Sequence, residues 1–154
     1  MVRFVALDTA SVRKLQNGGL DANGQPCEQA TSTGAGTPCR HCLRHIEEGD
    51  KYLILSFRPF STLQPYSEQG PIFLHAKECE RHESGRDLPP ILDSAQYIVR
   101  GYDSADRIMY GTGKVTQKNL ISDYAEELFA DPSVAYLHVR SAANNCYQCR
   151  IDKE

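Results

Sequence analysis

Several things are missing from this sequence, and each absence removes a class of function. No apolar run approaches the roughly 20 residues needed to span a bilayer. The opening stretch, Met1-Val2-Arg3-Phe4-Val5-Ala6-Leu7-Asp8, reaches a charge too soon for a signal-peptide core, so a cytoplasmic protein is expected. There is no excess of positive charge. The formal net charge is −3, which argues against nucleic acid as a partner, since a phosphate backbone needs a basic face. Ser-His-Asp motifs, phosphate loops and dinucleotide fingerprints are absent too, and Gly111-Thr112-Gly113 lacks the third glycine and the helix start of the last. No internal repeat or second domain is visible.

What remains is ordinary in bulk. The 154 residues fit one domain, 1–154, with 40% apolar and 24% charged residues, as in soluble globular proteins. Phe4–Leu7 reads as a strand, and Asp8 or Thr9 caps a short helix to about Gln16. Residues 17–38 hold five glycines and no periodicity, and are expected as a flexible loop. Strands are expected at 51–57 and 71–75. Others are expected at 96–100 and 107–110, the last two joined as a hairpin through Asp103–Asp106. A helix is expected over 117–129, with Leu120, Ile121, Tyr124, Leu128 and Phe129 on one face. A strand over 134–140 and a Cys146/Cys149 turn complete an α+β fold: one mainly antiparallel sheet, two helices and a zinc-knuckle-like hairpin.

Soft metal ligands are the most informative residues. Cys39 and Cys42 form a Cys-x-x-Cys pair, His75 and Cys79 a second pair, and Cys146 and Cys149 a third. In a reducing compartment such pairs bind metal or do chemistry more often than they form structural disulfides. A Cys-x-x-Cys turn sets two sulfurs at the separation of two corners of a zinc tetrahedron. If His75 opens a helix, His75 and Cys79 share its face one turn apart. Cys39, Cys42, His75 and Cys79 then form a closed set of three thiolates and one imidazole, which favours a structural zinc over iron. The arrangement is similar to treble-clef and poly(ADP-ribose)-polymerase-type zinc fingers, with three residues between His and Cys here instead of two. The alternative joins Cys39 and Cys42 to Cys146 and Cys149 in a four-thiolate site. Cys27 has no partner nearby and reads as an incidental thiol. Two enzyme readings also stand: a thiol-disulfide oxidoreductase, and a metal-dependent hydrolase using His75 or His138 beside an open metal position.

Positive charge gathers at Arg40, His41, Arg44 and His45, but Glu47, Glu48 and Asp50 follow at once, so a solvated turn is expected there. Tyr136, His138 and Arg140 alternate along one strand and share a face; Arg100 and Tyr102 do the same on another. Arg100, Tyr102, His138 and Arg140 are therefore the candidate ligand-facing groups, suited to a small anionic ligand or a protein partner.

Pro38-Cys39-Arg40-His41-Cys42-Leu43, Arg58-Pro59-Phe60, Pro65-Tyr66, Gly70 to Ala76, Arg100-Gly101-Tyr102-Asp103 and His138 to Ala142 with Cys146-Tyr147 occur in that order. Together they resemble a bacterial family catalogued as domain of unknown function 1203. The resemblance covers almost the whole chain and implies a soluble single-domain protein. It supplies no catalytic residues. It also implies that the knuckle, the His75 segment and the Arg140 segment belong to one architecture.

Overall fold

The computed structural model describes all residues, Met1–Glu154. The chain order is β1 (Val2–Val5), α1 (Thr9–Gln16), β2 (Glu28–Thr31), β3 (Lys51–Phe57), β4 (Gly70–His75), β5 (Gln96–Tyr102), β6 (Lys114–Gln117), α2 (Ile121–Leu128), β7 (Tyr136–Ser141) and β8 (Tyr147–Lys153). The fold is α+β with two antiparallel sheets. One has five strands in the order β1-β8-β7-β5-β6, the other three in the order β2-β3-β4. No helix is long and apolar enough to cross a membrane.

Period-2 patterning explains the five-stranded sheet. Tyr97 and Val99 on β5, Leu137 and Val139 on β7, and Cys149 and Ile151 on β8 are all buried in one core. Helix α2 covers that core with Ile121, Tyr124 and Ala125 at the i, i+3, i+4 spacing of an amphipathic helix. The other face carries Arg100 and Tyr102 opposite His138 and Tyr136. A bulge changes the β7–β8 register between Val139 and Arg140, so that Arg140 pairs with Tyr147 while Val139 pairs with Cys149. It moves Tyr147 to the Arg/His face and leaves Cys149 in the core.

A second, smaller core lies between α1 and the three-stranded sheet. Val12, Cys39, Cys42, Ile46, Leu53, Leu55, Ile72 and Leu74 belong to it. Asp8 starts α1 as expected, its carboxylate accepting the Ser11 backbone N–H at 2.8 Å.

Several expectations about elements need correction, among them the Cys146/Cys149 turn, where the chain instead enters strand β8. The 17–38 segment contains β2, an edge strand of polar residues that pairs with β3. The expected strand 107–110 is reduced to one bridge, Tyr102 to Ile108. The real partner of β5 on that side is β6, and the 103–106 turn closes through the Asp103 N–H to Arg107 O. The helix expected from Gln117 begins as a 3-10 turn at Lys118–Leu120 and becomes α-helical at Ile121, which leaves Leu120 exposed. His75 ends a strand and opens no helix.

Candidate functional site

Cys39 sits in a tight loop whose mouth is closed by backbone pairing. Pro38 bridges His45 antiparallel, and Cys39 bridges Phe73 of β4 in parallel. Inside the loop, the Leu43 N–H donates to Cys39 O and the Cys39 N–H to Arg44 O, each at 2.9 Å. Leu43 closes the turn with φ at 53°, the left-handed region that a branched aliphatic residue rarely enters. Its side chain is fully buried in the larger core, which holds the backbone there. Arg40 anchors the loop on the other side. It is 3% exposed and donates from Nε to Tyr147 O at 2.8 Å and from Nη1 to Pro38 O at 2.7 Å. His41 is buried as well, whereas Arg44 is exposed and His45 half-buried, so the turn expected to be solvated is solvated only in its second half.

The 75–79 segment reaches the loop without a helix. Gln16 Nε2 donates to the carbonyls of His75 and Lys77, and Arg13 Nη2 to that of Cys79, at 2.8–3.0 Å. Side chains of α1 thus take the carbonyls that a helix would have used internally.

These two segments bring Cys39, Cys42, His75 and Cys79 together, their ligand atoms all within 4.8 Å of one another. Cys39 Sγ lies 3.9 Å from Cys79 Sγ, and Cys42 Sγ lies 3.6 Å from His75 Nδ1. A zinc tetrahedron with Zn–S near 2.3 Å and Zn–N near 2.0–2.1 Å has S–S edges of about 3.8 Å and S–N edges of about 3.6 Å. The donor set therefore fits a tetrahedral soft-metal ion. All six cysteines are free thiols, and a 3.9 Å sulfur separation is far too long for a disulfide.

Electrostatics point the same way. Hydrogen bonds from the Cys42 and Cys79 thiols hold Cys39 far below the ordinary thiol range. Hydrogen bonding to Cys39, then to Cys42, pushes Cys79 far above it. Hydrogen bonds to the same two sulfurs raise His75 to about 10. Three thiolates this close repel one another, and a divalent ion removes that conflict.

Two further residues support the cluster. His41 Nδ1 lies 3.1 Å from Cys79 Sγ, and its Nε2 lies 2.9 Å from Thr9 Oγ1. Burial holds His41 below its ordinary pKa, so it is neutral. We assign the proton to Nδ1, which donates to sulfur while Nε2 accepts from the threonine hydroxyl. The His75 backbone N–H also points at Cys39 Sγ, at 3.4 Å. Nothing local in the sequence marks Thr9 or His41 for this role, because 32 residues separate them. A polar cleft of about 700 Å³ opens over the cluster, lined by Cys42, His75 and Cys79 together with Arg44, His45 and Arg81.

Cys146 and Cys149 do not join this group. Cys149 lies within β8 and Cys146 just before it, and extended chain separates residues i and i+3 by about 10 Å, too far for a knuckle. Burial in the larger core pushes the Cys149 thiol up to about 12.

The four ligand-facing candidates do share one face. His138 sits among the rings of Phe60, Tyr102, Tyr136 and Tyr147, with centroids 4.7–5.2 Å away. Tyr102 is fully buried, stacked on Tyr136, and its hydroxyl accepts from Arg100 Nε at 2.9 Å. Arg100 Nη2 pairs with Glu68 Oε1 at 3.1 Å, and Arg140 Nη1 lies 3.8 Å from Glu68 Oε2. Arg140 lines a cavity of about 200 Å³, and His138 lines a neighbouring groove. Glu68, on the loop before β4, is the residue of this face that carried no signal in the sequence.

Fold and site together define a small α+β protein with a cluster of three cysteines and one histidine that could hold a metal ion. The chain belongs to the family described as "Protein of unknown function (DUF1203)", whose model matches residues 36–153. That span takes in the knuckle, the 75–79 segment and the Arg/His face. No curated protein and no solved structure matches the chain.

Proposed function

We propose that this chain is a binding domain stabilised by a structural zinc, with Cys39, Cys42, His75 and Cys79 as ligands and the Arg/His face of the five-stranded sheet as its ligand surface. One observation carries the metal assignment: four protein donors within 4.8 Å of one another, with two of their separations, 3.9 Å between sulfurs and 3.6 Å between sulfur and imidazole nitrogen, at tetrahedral edge length. Four protein ligands close the coordination sphere, as in structural sites, whereas a catalytic zinc keeps one position for water. A hydrolase using His75 as its base would have to release that residue from the set. A thiol oxidoreductase would need an accessible thiol of lowered pKa; Cys39, the lowered one, is fully buried, and Cys79, which lines the cleft, is pushed the other way.

Metal analysis of untagged protein purified without chelator, with a free-thiol count, is the test. About one zinc per chain is expected, and Cys39→Ser or Cys42→Ser should lose it and unfold, since structural zinc contributes folding free energy directly. A Cys39→Ser protein as stable as wild type would sink the proposal.

A further inference from the structure

Each sheet ends in two outer strands, and three of the four resulting edges are protected. β1 is covered where Phe4 bridges Gly85, its N–H donating to the Gly85 carbonyl at 2.8 Å. β4 is covered by the knuckle, through the bridge from Cys39 to Phe73 and the Arg40 N–H donating to Phe73 O. β2 is polar and carries Glu28, a charge of the kind that discourages pairing with another chain. β6 has none of these protections. No bridge covers it, and Val115 on it is 53% exposed, with Leu120 just beyond at 47%. Lys114 could guard the edge, but its ammonium lies over the Tyr124 ring at 4.6 Å, on the α2 side.

The backbone of that edge is free as well. The Lys118 N–H donates to Ala95 O, which fixes the alternation along β6. Lys114 and Thr116 turn their backbone groups toward β5, and Val115 and Gln117 turn theirs outward. A groove of about 300 Å³ runs beside them, with Leu120, Asp123 and Glu127 on its other wall. Lys114, Lys118, Asp123 and Glu127 make no ion pair within the chain. The occupant that fits is an extended strand with an apolar residue for Val115 and cations for the two carboxylates. β6 itself, Lys114-Val115-Thr116-Gln117 followed by Lys118, has that composition. A surface complementary to itself is what a two-fold dimer requires.

We propose that β6 is a dimer edge, pairing antiparallel with β6 of a second copy of this chain. With Val115 on the two-fold axis, the two Val115 residues exchange both backbone hydrogen bonds and set their side chains against each other. Lys114 of each copy then lies opposite Thr116 of the other, on the side of Asp123 and Glu127. The patch is small beside a standard interface, so a weak dimer is expected, with Kd on the order of 10 µM. The proposal is independent of the metal and of the Arg/His face.

The test is sedimentation velocity of the purified chain across concentrations spanning that constant, with amide hydrogen exchange on the same samples. A monomer–dimer equilibrium is expected, and the Val115 amide, unprotected in the monomer, should exchange more slowly as concentration rises. Val115→Lys sets two like charges on the axis and should raise Kd at least about tenfold. Val115→Pro removes only an outward N–H and should do the same with the β5 ladder intact. Val115→Lys, at an exposed position, carries the test if the proline variant does not fold. Leu63→Lys, at another exposed apolar residue on the loop before β4, should leave the dimer unchanged. A chain that stays monomeric far above that concentration would leave the edge to a strand of another protein and overturn the proposal. A dimer that survives the Val115 variants would place the interface elsewhere and overturn it too, as would equal weakening by Leu63→Lys. Metal content read on the same samples separates the two proposals, since a zinc-bearing monomer sinks only the dimer.

Discussion

At the scale of single residues, His138 is a fully buried titratable group outside the Cys39, Cys42, His75 and Cys79 cluster. Burial, then repulsion from Arg140, Arg150 and Arg100, holds its pKa well below the ordinary value, so it is neutral in the folded protein. Its buried Nδ1 has no partner. In the unfolded chain it takes up a proton near pH 6.5. Below that pH the unfolded state binds a proton that the folded state refuses, so stability falls as pH falls, by up to about 1.4 kcal/mol per pH unit. Above it, the residue contributes no slope. A His138→Phe variant puts a ring of similar size among four others and removes the orphaned nitrogen. Urea melts should show it at least as stable as wild type at pH 7, with the difference growing from about pH 6.5 to 5. Parallel stability curves for the two proteins would mean that His138 is paired or protonated in the folded protein.

Elements decide which cysteines meet. The Cys39–Cys42 turn and the Cys146-x-x-Cys149 stretch have the same spacing, but backbone conformation makes the first a knuckle and leaves the second extended. The sequence already held the sign: Cys149 and Ile151 alternate with Gln148, Arg150 and Asp152, a strand pattern that outweighs the motif. β3, β4, β5, β7 and α1 were legible because they bury regular apolar faces or carry a cap. β2 was not, since Glu28-Gln29-Ala30-Thr31 lies at a sheet edge and buries almost nothing. The Cys39, Cys42, His75, Cys79 set was legible from spacing, though by a wrong route, because α1 side chains and not a helix place Cys79. Support from His41 and Thr9, and the pairing of Glu68 with two arginines, depend on contacts across 32 or more residues that no local pattern encodes. Cys149→Ser separates motif from element. It should cost about 1–3 kcal/mol, as a hydroxyl without a partner in an apolar core, yet leave the metal content unchanged. Loss of zinc from Cys149→Ser, as from Cys39→Ser, would bring the C-terminal pair into the centre.

Across the whole molecule, two cores of unequal size share one staple. The larger, of 17 buried residues, lies between α2 and the five-stranded sheet; the smaller, of 10, holds Cys39 and Cys42 beside the three-stranded sheet. A three-stranded sheet on so small a core is marginal by itself. A zinc at the proposed site, worth on the order of 10 kcal/mol as in structural sites, would decide whether that half is ordered. The knuckle joins the halves: Leu43 enters the larger core, Ile46 the smaller, and Arg40 reaches the Tyr147 carbonyl on β8. Chelation should therefore loosen the molecule unevenly. Hydrogen exchange after metal removal is expected to show protection lost first at residues 38–46 and along β3 and β4, with β5, β7 and β8 keeping theirs longer. Unchanged protection at β3 and β4 would remove the metal from any structural role. Simultaneous loss in both sheets would mean that the knuckle couples the two cores into one cooperative unit, and that the larger core cannot stand without the ion.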